Sequence, residues 1–308
     1  MKKDSRILVL GSGGLVGGAI VKKLRSKGHS NLLLPKRKDL DLIMQKDVLD
    51  YFTATQPEYV FLAAAKVGGI MANSTQPAEF IYQNLMVQSN VIHVSAVSNV
   101  EKLLFLGSSC IYPKQCPQPI KEDYLLSGYL ESTNKAYAVA KIAGLTMCQA
   151  YRQQYGFNAI SVMPCNLYGP GDNFDLVGSH VLPALLRKFH EAKPNDDVVV
   201  WGTGSPYREF LYIDDLADAL YFLMLNYDEP ESINVGSGKD LTIKELAELI
   251  KKITGHAGEV IWDTSKPDGT PRKILDISKI KLLGWTPHTT LWDGIRKTYT
   301  WYLSRQLQ

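Results

Sequence analysis

Ile7-Leu8-Val9-Leu10-Gly11-Ser12-Gly13-Gly14-Leu15-Val16-Gly17 decides how the rest of this chain is read. Four apolar residues in a row suit a strand buried on both faces. Glycines follow at once, and helical periodicity begins at Ala19 to Leu24. Between a first strand and a helix, glycines let the backbone turn tightly and approach a pyrophosphate, whose charge then rests on the helix N-terminus. The alternative is a glycine-rich turn with no ligand. The position next to the first strand favours a dinucleotide, with Gly11, Gly14 and Gly17 as the backbone of its cradle.

Outward from that stretch, short β-branched runs alternate with helical patterns, the mark of a parallel sheet covered by helices on both faces. Strands are expected at Ile7 to Leu10, Asn31 to Leu34, Tyr59 to Ala63, Lys102 to Leu106 and Ala159 to Met163. After Gly169-Pro170-Gly171-Asp172 the rhythm becomes irregular, with short runs such as Val198 to Trp201 and Ile233 to Val235. Thr242 and Glu245 form a capping box ahead of Leu246, Leu249 and Ile250. The expected architecture is α/β: a Rossmann-type doubly wound parallel sheet in residues 1–168, and a smaller mixed α/β lobe mainly in 169–308, with some later segments returning to the first domain.

Composition narrows the function. The 308 residues are 45% hydrophobic and 21% charged, as in ordinary globular proteins. No secretory or bilayer-spanning run is found, so a cytoplasmic protein with no membrane partner is expected. Cys110, Cys116, Cys148 and Cys165 lack paired spacing, which argues against a disulfide framework and against a metal site. A net charge of +3 is too small to imply nucleic acid.

Two further groups specify the chemistry. An acidic residue at the end of the second strand would bind the ribose hydroxyls of NAD. Here that point carries Pro35-Lys36-Arg37-Lys38, a cationic cluster suited to the 2'-phosphate of NADP, with Arg37 the first choice. Tyr137 and Lys141, four apart, share a helix face. The Lys141 ammonium would draw the phenol below its ordinary value of about 10, and Tyr137 could then protonate a carbonyl oxygen as hydride reaches the carbon. Ser108, closing the fourth strand, would share that oxygen. A surface pair plus a capping serine is the bland alternative, and all three groups in this order weigh against it.

The spacing Gly11, Gly14, Gly17 and this triad resemble the extended short-chain dehydrogenases. Ala63-Ala64-Ala65-Lys66-Val67-Gly68-Gly69-Ile70, Phe105 through Lys114, Asn166-Leu167-Tyr168-Gly169-Pro170, Arg208-Glu209-Phe210-Leu211 and Lys266-Pro267-Asp268-Gly269-Thr270-Pro271-Arg272-Lys273 resemble the GDP-L-fucose synthase family over essentially the whole chain. The resemblance implies an NADPH-dependent enzyme that epimerises GDP-4-keto-6-deoxy-D-mannose at C3 and C5 and reduces C4. It implies Ser108, Tyr137 and Lys141 as the reducing triad and Cys110 with His180 as the epimerising pair. On residues alone, Cys110 is more often a small buried hydrophobe and His180 a satisfied structural histidine, and each by itself favours that reading.

Cofactor contacts implied by the resemblance are Gly11, Gly14, Leu15, Val16, Gly17, Arg37, Ala64, Lys141, Pro164, Asn166, Leu167 and His180. For the GDP-sugar they are Ser109, Asn166, Lys188, Trp201, Arg208 and Asp268. A homodimer would pair the helices around Ala78 to Ser98 and Lys135 to Tyr155. Ser12-Gly13 and Lys188 depart from the family's bacterial pattern, where bulkier polar residues and an arginine are common. The alternatives are an epimerase or C4 reductase for another GDP-4-keto sugar, of the colitose or 6-deoxyheptose kind, and a non-enzymatic NADP-binding regulator.

Overall fold

A computed structural model describes residues 1–306 apart from Val177 and Pro267, so the Pro267 of the Lys266 to Lys273 stretch lies outside the described residues. Ile7–Leu10 is the hub of a six-stranded sheet, which runs Leu32–Leu33, Ile7–Leu10, Tyr59–Leu62, Lys102–Leu106, Ala159–Pro164, Ile233–Val235. Every pairing in it is parallel, with Ile7 opposite both Leu32 and Tyr59, and Leu104 opposite Phe61 and Ile160. Helices cover both faces, so these strands carry unbroken apolar runs; Ile7, Leu8, Val60, Phe61, Phe105 and Ile160 are wholly buried.

All five expected strands form, with every end within a residue of expectation. The second is shorter than Asn31 to Leu34: only Leu32–Leu33 forms ladder pairs, at the sheet edge, and Pro35 beyond it has no N–H to donate. Ile233–Val235, which the sequence groups with the irregular later half, returns as the sixth strand beside Ala159–Pro164. Helix Ile213–Asn226 returns with it and is joined to the first helix, Leu15–Ser26, by the Lys22–Asp214 (2.8 Å) and Lys23–Asp218 ion pairs.

The remaining strands stand apart. Tyr207–Tyr212 pairs with Asp240–Thr242, Arg272–Lys273 and Asn166–Tyr168, and Val198–Trp201 pairs with Val260–Asp263. The capping box is present: Thr242 Oγ1 accepts from the Glu245 N–H (3.1 Å) and Glu245 Oε2 from the Thr242 N–H (2.7 Å). Among the described residues no helix is long and apolar enough to cross a membrane. The sheet reverses direction of build between Ile7–Leu10 and Tyr59–Leu62, and ligands of open parallel sheets bind in the crevice past the strand ends at such a point.

Candidate active site

Gly11 leaves the first strand with φ +86°, and a Cβ there would stand 2.9 Å from the Ala63 carbonyl and the Ala64 nitrogen. Gly17 crosses so close that a Cβ would meet the Gly11 carbonyl oxygen at 2.1 Å. Only glycine fits at either position. Gly14 caps the helix Leu15–Ser26 with no side-chain acceptor, and no acid lies in the first turn. The N–H groups of Leu15 and Val16 are thus left for an outside anion, the arrangement a pyrophosphate needs. At Gly13 a Cβ would touch nothing within 4 Å, so the departure from family pattern there is not forced by packing. Lys36, Arg37 and Lys38 are exposed in a turn closed by Asp39, whose Oδ2 accepts from the Lys36 N–H at 3.2 Å.

Past the fourth strand, Ser108 opens a 3-10 turn over Ser109–Ile111, its Oγ accepting from the Cys110 N–H at 3.3 Å. Helix Lys135–Tyr155 packs over this turn and supplies Tyr137 and Lys141. The Lys141 ammonium is buried, donates to the Leu106 carbonyl (2.8 Å) and lies 5.9 Å from the Tyr137 ring centre. Phe80 packs edge-on against Tyr137 at 6.3 Å.

One expectation is corrected here. Burial holds the Tyr137 phenol well above its ordinary value, with nearby Cys110 adding to the rise and the Ser108 hydrogen bond opposing it. Desolvation of a tyrosinate outweighs the nearby cation. The phenol therefore keeps its proton, as a donor to a carbonyl oxygen must. Lys141 responds to the same burial: it is lowered to about 8, with Cys148 opposing. Its charge is present below about pH 8 and lost above it. Reduction rates, measured as kcat/KM from neutral to alkaline pH, are expected to decline through about 8 and not near the ordinary lysine value. A profile flat to about pH 10 would mean that Lys141 need not be charged.

Cys110 lies in the turn just after Ser108, with Asn134 Nδ2 donating to its Sγ at 3.3 Å and Lys273 Nζ at 3.6 Å. His180 is linked to Cys110 through Lys273, which acts on its ring. It is the N-cap of helix Val181–Glu191, yet its ring makes no capping bond. The loop before it is pinned where the Gly69 N–H donates to the Gly178 carbonyl at 3.0 Å; a Cβ on Gly69 would meet the Ser179 carbonyl at 2.8 Å. Here the glycine pair of the Lys66 to Ile70 motif has a physical purpose. His180 is exposed at its surface, yet crowding by protein and then Lys273 lower the pKa of its ring.

The groups expected around the nucleotide-sugar fall into one cluster and several outliers. Lys188 Nζ donates to the Val199 carbonyl (2.9 Å) and stands 5.8 Å from the Trp201 ring centre, as does Lys266 on its own account. Asp268 accepts from the Thr203 N–H (2.7 Å) and hydroxyl (2.8 Å), folding the loop back beside Trp201. Arg208 is bonded to the Tyr207 carbonyl at 2.8 Å, with burial lowering its pKa against the pull of Asp268 and Glu131. Asn166 donates to the Glu209 carbonyl (2.8 Å). Leu167 shares the strand Asn166–Tyr168, Pro164 ends the strand Ala159–Pro164, and Ser109 is buried beneath the Ser108 turn. Arg37 lies away from this cluster, at the sheet edge. Asn134 and Lys273 were missed as site residues. Both lay inside or beside quoted motifs, three residues before Tyr137 and at the end of the Lys266 stretch.

A nucleotide cradle feeding a Ser-Tyr-Lys centre defines a class, and the chain belongs to it: the NAD dependent epimerase/dehydratase family, whose family model matches residues 7–236. Within that family it is 59% identical over 303 residues to GDP-L-fucose synthase 1 of Arabidopsis thaliana, covering 98% of this chain and 94% of the relative. Among solved structures, a GDP-mannoheptose C4 reductase from Campylobacter jejuni with NADP bound is 43% identical, with a TM-score of 0.92, covering 98% of this chain and 99% of that one. A GDP-L-fucose synthetase from Naegleria fowleri bound to NADP is 31% identical at a TM-score of 0.92, covering 100% and 95%.

Proposed function

We propose that this chain converts GDP-4-keto-6-deoxy-D-mannose to GDP-L-fucose, with NADPH as reductant. What supports the reading is that Ser108 and Cys110 both act on Tyr137, and that Lys273, bonded to the Cys110 sulfur, also acts on His180, so a reductase triad and a second, separate proton-transfer pair are linked. Ser108, Tyr137 and Lys141 suffice for reduction; Cys110 and His180 are redundant unless carbon-bound protons are also exchanged. Full-length identity of 59% to a GDP-L-fucose synthase supports this substrate over the heptose of the 43% identical reductase.

The ketone at C4 acidifies the hydrogens on C3 and C5. A thiol and an imidazole, ionising in general near about 8.5 and 6.5, can exchange protons with carbon in either direction near neutrality. Cys110 and His180 address opposite faces of the ring, and Ser108 and Tyr137 hold the C4 oxygen as it becomes an enolate. NADPH, when bound, supplies the hydride for C4. Gly11, Gly14, Leu15, Val16, Gly17 and Ala64 hold its pyrophosphate end, Arg37 its 2'-phosphate, and Lys141 with Pro164, Asn166, Leu167 and His180 its nicotinamide half. Tyr137 then gives its proton to the C4 oxygen. Ser109, Asn166, Lys188, Trp201, Arg208 and Asp268 anchor the GDP-sugar. Residues 1–168 serve the cofactor and 169–308 mainly the sugar nucleotide.

The enzyme works in a reducing cytoplasm, in keeping with four free thiols. It pairs as a homodimer through Pro77–Val97 and Lys135–Tyr155, which leave Tyr82, Val97, Val139 and Tyr155 exposed. The test is incubation with GDP-4-keto-6-deoxymannose in heavy water, without NADPH and then with it. Deuterium should enter C3 and C5 first, and GDP-L-fucose should follow. Reduction with no prior exchange would leave a C4 reductase only.

A further inference from the structure

Among the described residues Lys273 makes no ion pair, and the hydrogen bond its ammonium forms is to the sulfur of Cys110 at 3.6 Å. An ammonium drawn partly out of water loses solvation that a neutral thiol does not restore. The placement is nonetheless built with care. Arg272 before it is bonded twice to Asp240 (2.6 and 3.2 Å). The N–H groups of Ile274 and Leu275 after it donate to Gln118 Oε1 (3.0 Å) and to the buried Glu209 Oε2 (2.9 Å). The strand Arg272–Lys273 itself is laid in parallel register on Tyr207–Arg208. A strand fixed at so many points aims its one half-buried cation at a sulfur.

We propose that Lys273 is a positioning residue for proton transfer, which together with Asn134 holds Cys110 Sγ toward the sugar and compensates the charge that the sulfur carries whenever it has given up its proton. This rests on the reading that Cys110 exchanges protons with the sugar. In that step the C–H electron pair moves onto the C4 oxygen as the proton passes to sulfur, and the reverse movement returns the proton to carbon. Sulfur is anionic on one side of the step and neutral on the other, and the ammonium faces it throughout. Several other charged or titratable groups lie near the sulfur or the ammonium. Lys114 and Glu131 are paired with each other at 3.0 Å, Arg272 is bound to Asp240, Tyr137 is close enough for Cys110 to act on it, and Lys273 also acts on His180, Cys116 and Cys165. The pKa of His180, lowered first by burial and then by Lys273, agrees with an ammonium near both residues.

The competing occupant for this ammonium is the substrate's diphosphate, and alkylation separates the two. Iodoacetamide reacts with thiolate, and trypsin isolates Cys110 on the peptide Leu103 to Lys114, apart from Cys116 on Gln115 to Lys121. Lys273→Met should slow Cys110 alkylation at about pH 7 by about tenfold, the size of one charge-assisted hydrogen bond. Lys273→Arg, which keeps the charge, should restore it to within about threefold. Deuterium exchange at C3 and C5 should fall in kcat with KM little changed. A raised KM with an unchanged alkylation rate would overturn the proposal and assign Lys273 to the diphosphate. Alkylation needs no substrate, so wild-type protein that shows no exchange would sink the epimerase reading separately.

Discussion

Tyr137→Phe is expected to cut NADPH-linked reduction by about 10²–10⁴, the range for loss of a positioned proton donor. NADPH affinity, read by fluorescence titration, should change little, because the cradle at Gly11, Gly14 and Gly17 and the Lys141 ammonium are untouched. The expectation follows from the electrostatics more than from the motif. The phenol sits against Phe80 and receives a Ser108 hydrogen bond, and burial keeps it protonated across the working pH range. Phe keeps the ring and its edge contact and removes only the O–H, so the fold should persist. A loss of less than about threefold would mean that Ser108 or water protonates the C4 oxygen and that Tyr137 only packs. Equal losses in rate and in cofactor binding would mean that the substitution had displaced the helix.

Strand positions were readable because both sheet faces are covered, which imposes unbroken apolar runs such as Ile7–Leu10 and Lys102–Leu106 on the sequence. The return of Ile233–Val235 was not readable. Three apolar residues carry no sign of which sheet will take them, and that choice is made by packing of Ile213–Asn226 against the first helix. The chemistry divides in the same way. Ser108, Tyr137 and Lys141, the proposed reducing triad, lie on adjacent elements at fixed spacing, so they can be put forward from local pattern alone.

Lys273 is 163 positions from Cys110, and only the fold brings it to the thiol. The direction of the Tyr137 shift was also hidden, since a Lys four residues away is visible in sequence and the depth of burial is not. His180 shows the limit most plainly. Its place depends on a loop pinned by the Gly69–Gly178 contact, between segments about one hundred residues apart, and no local pattern carries that information.

Cys110→Ser separates the two activities, and its effect should be large on one side only. Hydroxyl and thiol are close in size, so Asn134 and Lys273 can still donate to the new oxygen, and the Ser108 turn should hold. A hydroxyl gives up its proton far less readily than a thiol, however, and an alcohol cannot shuttle a carbon-bound proton near neutrality. Exchange at C3 and C5 should therefore fall by about 10²–10⁴, while NADPH affinity stays within about twofold, since Cys110 touches no part of the nucleotide cradle. With the triad intact, the variant should still reduce the ketone. Its product should then be a GDP-6-deoxy sugar with C3 and C5 uninverted, distinguishable from GDP-L-fucose by proton coupling constants. Inversion that survives in Cys110→Ser would move the epimerising role to another group, whereas parallel loss of exchange, reduction and NADPH binding would make Cys110 a packing residue beneath Ser108.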